Sequence, residues 1–199
     1  MKKKTKIHLV RHGEVHNPTK IIYGRIPGFF LSETGRKQVE RLGNHISSFP
    51  IRAIYASPLD RTKETASILA RYFPNTPVNY DERLLEVYSP VQGQPIDPFA
   101  IAGWNFYTEL YITNGGESLQ TIYERMQDFL DEKTSLHDGE EILVVSHGDP
   151  LMIVRAVHNQ LPLEITSLLG ENYIPTAHGF SLIVDNVTAS VEEIIPGEV

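Results

Sequence analysis

The chain has 199 residues, a formal net charge of −7 and no cysteine. That length is ample for one sizeable core. The acidic balance argues against general nucleic-acid binding, and the missing cysteine excludes disulfides, cysteine nucleophiles and thiolate metal sites.

Met1-Lys2-Lys3-Lys4 is followed by an apolar run far too short for a signal-peptide core, and no stretch approaches the length of a membrane span. The lysines read as a solvated tail on a cytoplasmic protein with no membrane partner. The first strand covers about residues 6–11 and ends abruptly in Arg11-His12-Gly13-Glu14. Residues 13–31 form a long connection marked by Asn17-Pro18, Tyr23-Gly24-Arg25 and Pro27-Gly28. Val39, Leu42, Ile46 and Phe49 recur at helical spacing, so a helix is expected over about 34–49, stopped by Pro50.

Ile51 to Ala56 reads as a second strand. Ser57-Pro58-Leu59-Asp60 then reads as a helix start, with Ser57 as N-cap and Pro58 at the first helical position. Pro74 and Pro77 end that helix before a short strand at 78–80. Residues 81–116 are rich in proline, glycine and aromatic residues, with one helix expected near 98–112. A satellite hydrophobic cluster under a long loop and a substrate-facing cap are equal readings of this segment. An amphipathic helix follows over about 117–136, then a strand over 142–146 ending in Ser146-His147-Gly148-Asp149. Pro150 starts a helix to about 159, and residues 162–170 suit a further short helix. Gly179 to Asp185 and Ala189 to Ile195 read as two closing strands with Asp185-Asn186 at the turn.

Strands alternating with helices argue for an α/β sandwich around a mainly parallel sheet, whose ligands bind beyond the carboxyl ends of the strands. Three of those ends carry Arg11-His12, Ser57 leading to Arg61, and Ser146-His147. Two guanidiniums and two imidazoles make a pocket for a tetrahedral oxyanion. A neutral imidazole there can attack phosphorus, and a carboxylic acid must protonate the leaving oxygen. Glu86 is the first choice for that acid and Glu14 the second. Four such groups gathered at one edge repel one another without an anion, so structure alone gives no reason to collect them. By contrast His8, His16, His45, His137 and His158 read as ordinary core or surface histidines, and His8 should alternate away from Leu9.

Leu9-Val10-Arg11-His12-Gly13-Glu14 with Asn17 resembles the signature of the histidine phosphatase superfamily, also called phosphoglycerate mutase-like. Gly24-Arg25, Leu31-Ser32-Glu33-Thr34-Gly35, Ser57 to Ala66, Gly116-Glu117-Ser118 and Val145-Ser146-His147-Gly148 follow in the family's order. The chain departs from the family at Ser32, where threonine is usual, and at Val87-Tyr88-Ser89-Pro90, which lacks the common Gly-x-Trp-Glu-Gly. The resemblance implies His12 as the nucleophile that becomes phosphohistidine, with Glu86 as proton donor. Arg11, Arg61 and His147 would bind the phosphoryl group with help from Asn17. It also implies a three-layer sandwich with a mixed central sheet and no metal or other cofactor.

The whole chain, 1–199, is read as one such domain, with 87–116 as a substrate-facing cap or insertion. Gly24, Arg25 and Tyr88 are candidate substrate contacts, and His178 is read as a surface histidine. The partner is a small-molecule phosphomonoester, with a homodimer as a candidate assembly. Segment 87–113 contains no lysine or arginine, which favours a phosphatase with a partly apolar leaving group. A phosphoglycerate mutase and a catalytically inactive phosphate-binding module are the alternatives.

Overall fold

The computed structural model describes residues 4–169, 172–184 and 189–194. Three strands first alternate with helices: β1 (Thr5–Arg11), α1 (Glu33–Ile46), β2 (Ile51–Ala56), α2 (Asp60–Ala70) and β3 (Val78–Tyr80). Two short helices follow, α3 (Asp97–Ile101) and α4 (Glu109–Thr113). Then come α5 (Leu119–Leu136), β4 (Glu141–Ser146), α6 (Gly148–His158), α7 (Ile165–Leu168), β5 (Gly179–Val184) and β6 (Ala189–Ile194). The strands form one sheet in the order β3-β2-β4-β1-β5-β6. β1 to β4 run parallel, and β5 and β6 add an antiparallel edge beside β1.

Alternation along the strands divides the core in two. Ile7 and Leu9 of β1, Ala53 and Tyr55 of β2, and Ile142 and Val144 of β4 pack with α5 and α6. Val10, Ile54, Ala56, Leu143 and Val145 face the other way and pack with α1 and α2. A sheet covered on both faces explains why the central strands read as near-continuous apolar runs. The result is the expected three-layer α/β sandwich with a mixed sheet. His8 alternates away from Leu9 and is buried, with Nδ1 2.7 Å from Ser181 Oγ and Nε2 3.0 Å from Glu141 Oε2.

Three local expectations are corrected. α2 begins at Asp60 with Leu59 as its N-cap, because Ser57 is held elsewhere, as described below. The helix expected near 98–112 is two helices, since Gly103 and Trp104 adopt φ of 77° and 59°, a left-handed step that no α-helix continues through. α6 begins at Gly148, with His147 as its N-cap, rather than at Pro150. The expected turn at Asp185-Asn186 and the strand end at Ile195 lie outside the described residues. No helix among the described residues is long and apolar enough to cross a membrane.

Candidate active site

β1 and β4 are neighbours in register, with Val10 opposite Val145 and Arg11 opposite Ser146. His12 and His147 therefore leave the sheet side by side, their ring centroids 5.2 Å apart in an edge-on arrangement. His12 Nδ1 is 2.7 Å from the Gly13 carbonyl, a group that can only accept. The proton therefore sits on Nδ1 and the lone pair on Nε2. Arg61 Nε donates to that lone pair at 3.2 Å. Burial first, then the Arg61 and Arg11 guanidiniums, hold the His12 imidazole well below its ordinary pKa, so it is neutral.

Arg61 is fully buried on the first turn of α2. Its Nη2 donates to the Gly24 carbonyl at 2.8 Å, and its guanidinium lies 4.8 Å over the Tyr23 ring. Gly24 has φ of 40°, a conformation that favours glycine. Arg11 Nη1 donates to the Ile174 carbonyl at 2.7 Å, while its guanidinium lies 5.3 Å over Tyr173. Ser57 Oγ bonds His147 Nε2 at 2.8 Å, which is why it does not cap α2. His147 is also held well below its ordinary pKa, by burial and then by Arg61 and His12. Among the described residues, Arg11 Nε and His147 Nδ1 in this cluster and Ser89 Oγ nearby are buried polar atoms with no hydrogen-bond partner. An oxyanion would satisfy the guanidinium donor and would compensate the cluster of positive charge.

Glu86 completes the arrangement. Its Oε2 is 3.9 Å from His147 Nδ1, and Oε1 accepts from the Val87 N–H at 2.8 Å. Burial, and next the negative charge of Asp149, push its carboxyl up to about 7, against the opposing pull of Arg61 and Arg11. Arg25 Nε grips the Glu86 backbone carbonyl at 2.7 Å.

A cavity of about 540 Å³ opens beside these groups, with Arg11, Glu86 and Asp149 among its walls. The rest is mostly apolar, including Ile21, Ile22, Val87, Ile96, Trp104 and Phe106. Segment 87–116 thus supplies much of one wall.

Other candidates fall outside the cavity wall. Asn17 folds back on its own turn, its amide donating to the Ile21 carbonyl at 2.9 Å and its Oδ1 accepting from Ile21 N–H at 3.2 Å. Glu14 is exposed and accepts from Ser32 Oγ at 2.6 Å at the start of α1. The Arg25 guanidinium pairs with Glu117 at 2.6 Å, and exposed Tyr88 lies against Arg25. His178 Nδ1 turns to the Thr176 carbonyl at 3.0 Å. Sequence reasoning missed Tyr23, Ser57 and Tyr173 as parts of the site. Tyr23 stood within the turn signals and Ser57 within the quoted motif, but Tyr173 carried no sequence signal.

The chain matches the model of the histidine phosphatase superfamily (branch 1) over residues 7–171. It is 37% identical over 161 residues to the protein Rv0525 of Mycobacterium tuberculosis, covering 78% of this chain and 79% of that one. It is 33% identical over 157 residues to phosphoserine phosphatase 1 of Hydrogenobacter thermophilus, covering 73% and 72% of the two chains. Among solved structures, Bacillus stearothermophilus YhfR superposes with a TM-score of 0.83 at 29% identity, over 95% of this chain and 96% of the other. The chain belongs to the histidine phosphatase superfamily.

Proposed function

We propose that this member of the superfamily is a phosphomonoesterase that works through a phosphohistidine on His12. His12 Nε2 attacks phosphorus as the bond from phosphorus to the leaving oxygen breaks. Glu86 gives its proton to that oxygen. Glu86, now a carboxylate, takes a proton from water, whose oxygen attacks the phosphohistidine and frees the His12 lone pair with inorganic phosphate. Arg11, Arg61 and His147 stabilise the charge on the transferring phosphoryl oxygens, so the chemistry needs no metal.

The observation that carries this reading is the His12 tautomer: Nδ1 is committed to the Gly13 carbonyl and the Nε2 lone pair faces the Arg61 guanidinium. The raised carboxyl of Glu86 suits a donor that must hold its proton near neutral pH. The full set of groups argues against a binding module that has lost catalysis.

The substrate is a small phosphomonoester whose leaving group is at least partly apolar. Arg11 is the only cation among the described residues that line the cavity, so a second phosphate or a carboxylate finds no further charge partner among them. That disfavours phosphoglycerates and hence a mutase. The absence of cysteine suits a cytoplasmic location. Hydrolysis rates for aryl phosphates, sugar phosphates and phosphoglycerates, with and without chelator, test the reading. Aryl phosphates should be fastest and the chelator without effect; efficient mutase turnover with little hydrolysis, or loss of activity restored by a divalent metal, overturns it.

A further inference from the structure

Asp149 is a second carboxylate in the cavity wall, and the chemistry above gives it no step. It follows Gly148 in the first turn of α6, two residues past His147. Both its oxygens are taken: Tyr107 Oη donates to Oδ2 at 2.6 Å and Tyr173 Oη donates to Oδ1 at 2.6 Å. Tyr107 belongs to segment 87–116, and Tyr173 lies in the loop that also carries Ile174, the carbonyl partner of Arg11. Burial, and next the Asp149 charge, hold both phenols well above their ordinary range, so both keep their protons and act as donors. A carboxylate fixed at both oxygens cannot swing to substrate or water. It is a fixed charge.

From this geometry we infer that Asp149, clamped by Tyr107 and Tyr173, is a positioning residue whose fixed negative charge keeps the proton on Glu86 until the leaving group needs it. The inference rests on Glu86 being the proton donor. Among the described residues, the cations around Glu86 act the opposite way or at its backbone, and the Glu117 carboxylate is paired with Arg25 and Arg125. Arg61 from α2 and Arg11 from β1 favour the carboxylate, and Arg25 and Arg125 hold the Glu86 carbonyl oxygen. His147 beside it is neutral, and Tyr23, Tyr107 and Tyr173 keep their protons. Among the described residues Asp149 is the charge that acts most strongly on Glu86, and like charge disfavours ionisation.

The test is the pH dependence of kcat/KM for an alkyl phosphate, whose poor leaving group needs the donor, in wild type, Asp149→Asn, Tyr107→Phe and Glu86→Gln. Asp149→Asn should move the basic limb toward acid by about one pH unit, about a tenfold loss at pH 8 relative to pH 5. Tyr107→Phe removes one anchor but keeps the charge, so its limb should stay within about 0.3 pH unit of wild type. The inference is overturned if the Asp149→Asn limb does not move, or if Tyr107→Phe moves it equally, since the contact would then matter only for packing. Glu86→Gln separates the two readings: a limb that survives unchanged in this variant removes Glu86 as donor, whatever Asp149 does.

Discussion

Ser57 and His147 are 90 positions apart in the chain, and their side chains meet at 2.8 Å, Ser57 Oγ to His147 Nε2. Both are fully buried. Ser57 leaves the end of β2 and His147 the end of β4, so the bond ties two adjacent strand ends together across the carboxyl edge of the sheet. It also fixes the ring plane of His147 and turns Nδ1 toward Glu86.

Ser57→Ala removes that bond and leaves a buried ring nitrogen unpaired. The expected cost is about 1–2 kcal/mol of stability. Loss of ring orientation should lower kcat by about tenfold, a similar free energy at the transition state. Chemical denaturation and steady-state kinetics on an aryl phosphate check both. A kcat equal to wild type would mean that the orientation of His147 does not depend on Ser57.

Glu86→Gln should change stability in a pH-dependent way. The carboxyl is raised from an ordinary 4.5 to about 7 in the folded protein. Below pH 4.5 it is protonated in both states, and its favourable contribution is fully present. As pH rises through about 7 the unfolded chain ionises first and that contribution is lost, on the order of 3 kcal/mol in all. Glutamine does not titrate, so the variant should gain on wild type between pH 5 and pH 8, by an amount approaching that figure. Urea denaturation at the two pH values measures it, and an equal difference at both pH values would contradict the raised carboxyl. Activity should move the other way, falling about 10²–10⁴-fold on substrates with poor leaving groups.

Gly35→Ala tests how the His12 turn is seated on α1. A Cβ at Gly35 would lie 2.1 Å from the Glu14 carbonyl oxygen and 2.8 Å from the Glu14 nitrogen, both backbone atoms. Gly13 in turn packs against the Gly35 carbonyl, where a Cβ would meet the oxygen at 2.6 Å. Helix propensity alone favours alanine by about 1 kcal/mol. Overpacking should reverse the sign and cost about 1–3 kcal/mol. Thermal unfolding decides it: a raised Tm would show that the turn yields freely.

Trp104→Ala should act on substrate choice more than on folding. Trp104 is 40% exposed, lines the cavity, and contacts Phe106 edge-on at 6.3 Å. Loss of an aromatic contact to an aryl leaving group should raise KM by about 5–10-fold, roughly 1 kcal/mol, with Tm nearly unchanged. An equal KM change for a small alkyl phosphate would argue against an aromatic wall.

The strands and their ends were legible because each carries a short apolar run broken by a polar residue or proline. Residues 51–56 and 78–80 have the bounds expected of them. The juxtaposition of Arg11-His12 with Ser146-His147 followed from one rule, that parallel strands open their carboxyl ends on the same side. Side-chain direction was not legible. Ser57-Pro58 has the local chemistry of a helix cap, and only the partner from β4 takes the serine away. Asn17, Glu14 and Tyr88 sit in segments next to the site, yet their side chains bond to their own turn, to Ser32 and against Arg25. The break at Gly103-Trp104 was marked by its glycine, but the neighbouring apolar residues masked it.

The central claim is covalent chemistry at His12, and trapping the intermediate tests it most directly. Wild type mixed with a ³²P-labelled aryl phosphate and quenched in base within milliseconds should retain label on the protein. That label should be stable in base, released by acid, mapped to His12, and absent from His12→Asn. Label that persists in His12→Asn, or turnover by that variant at the wild-type rate, would contradict the account.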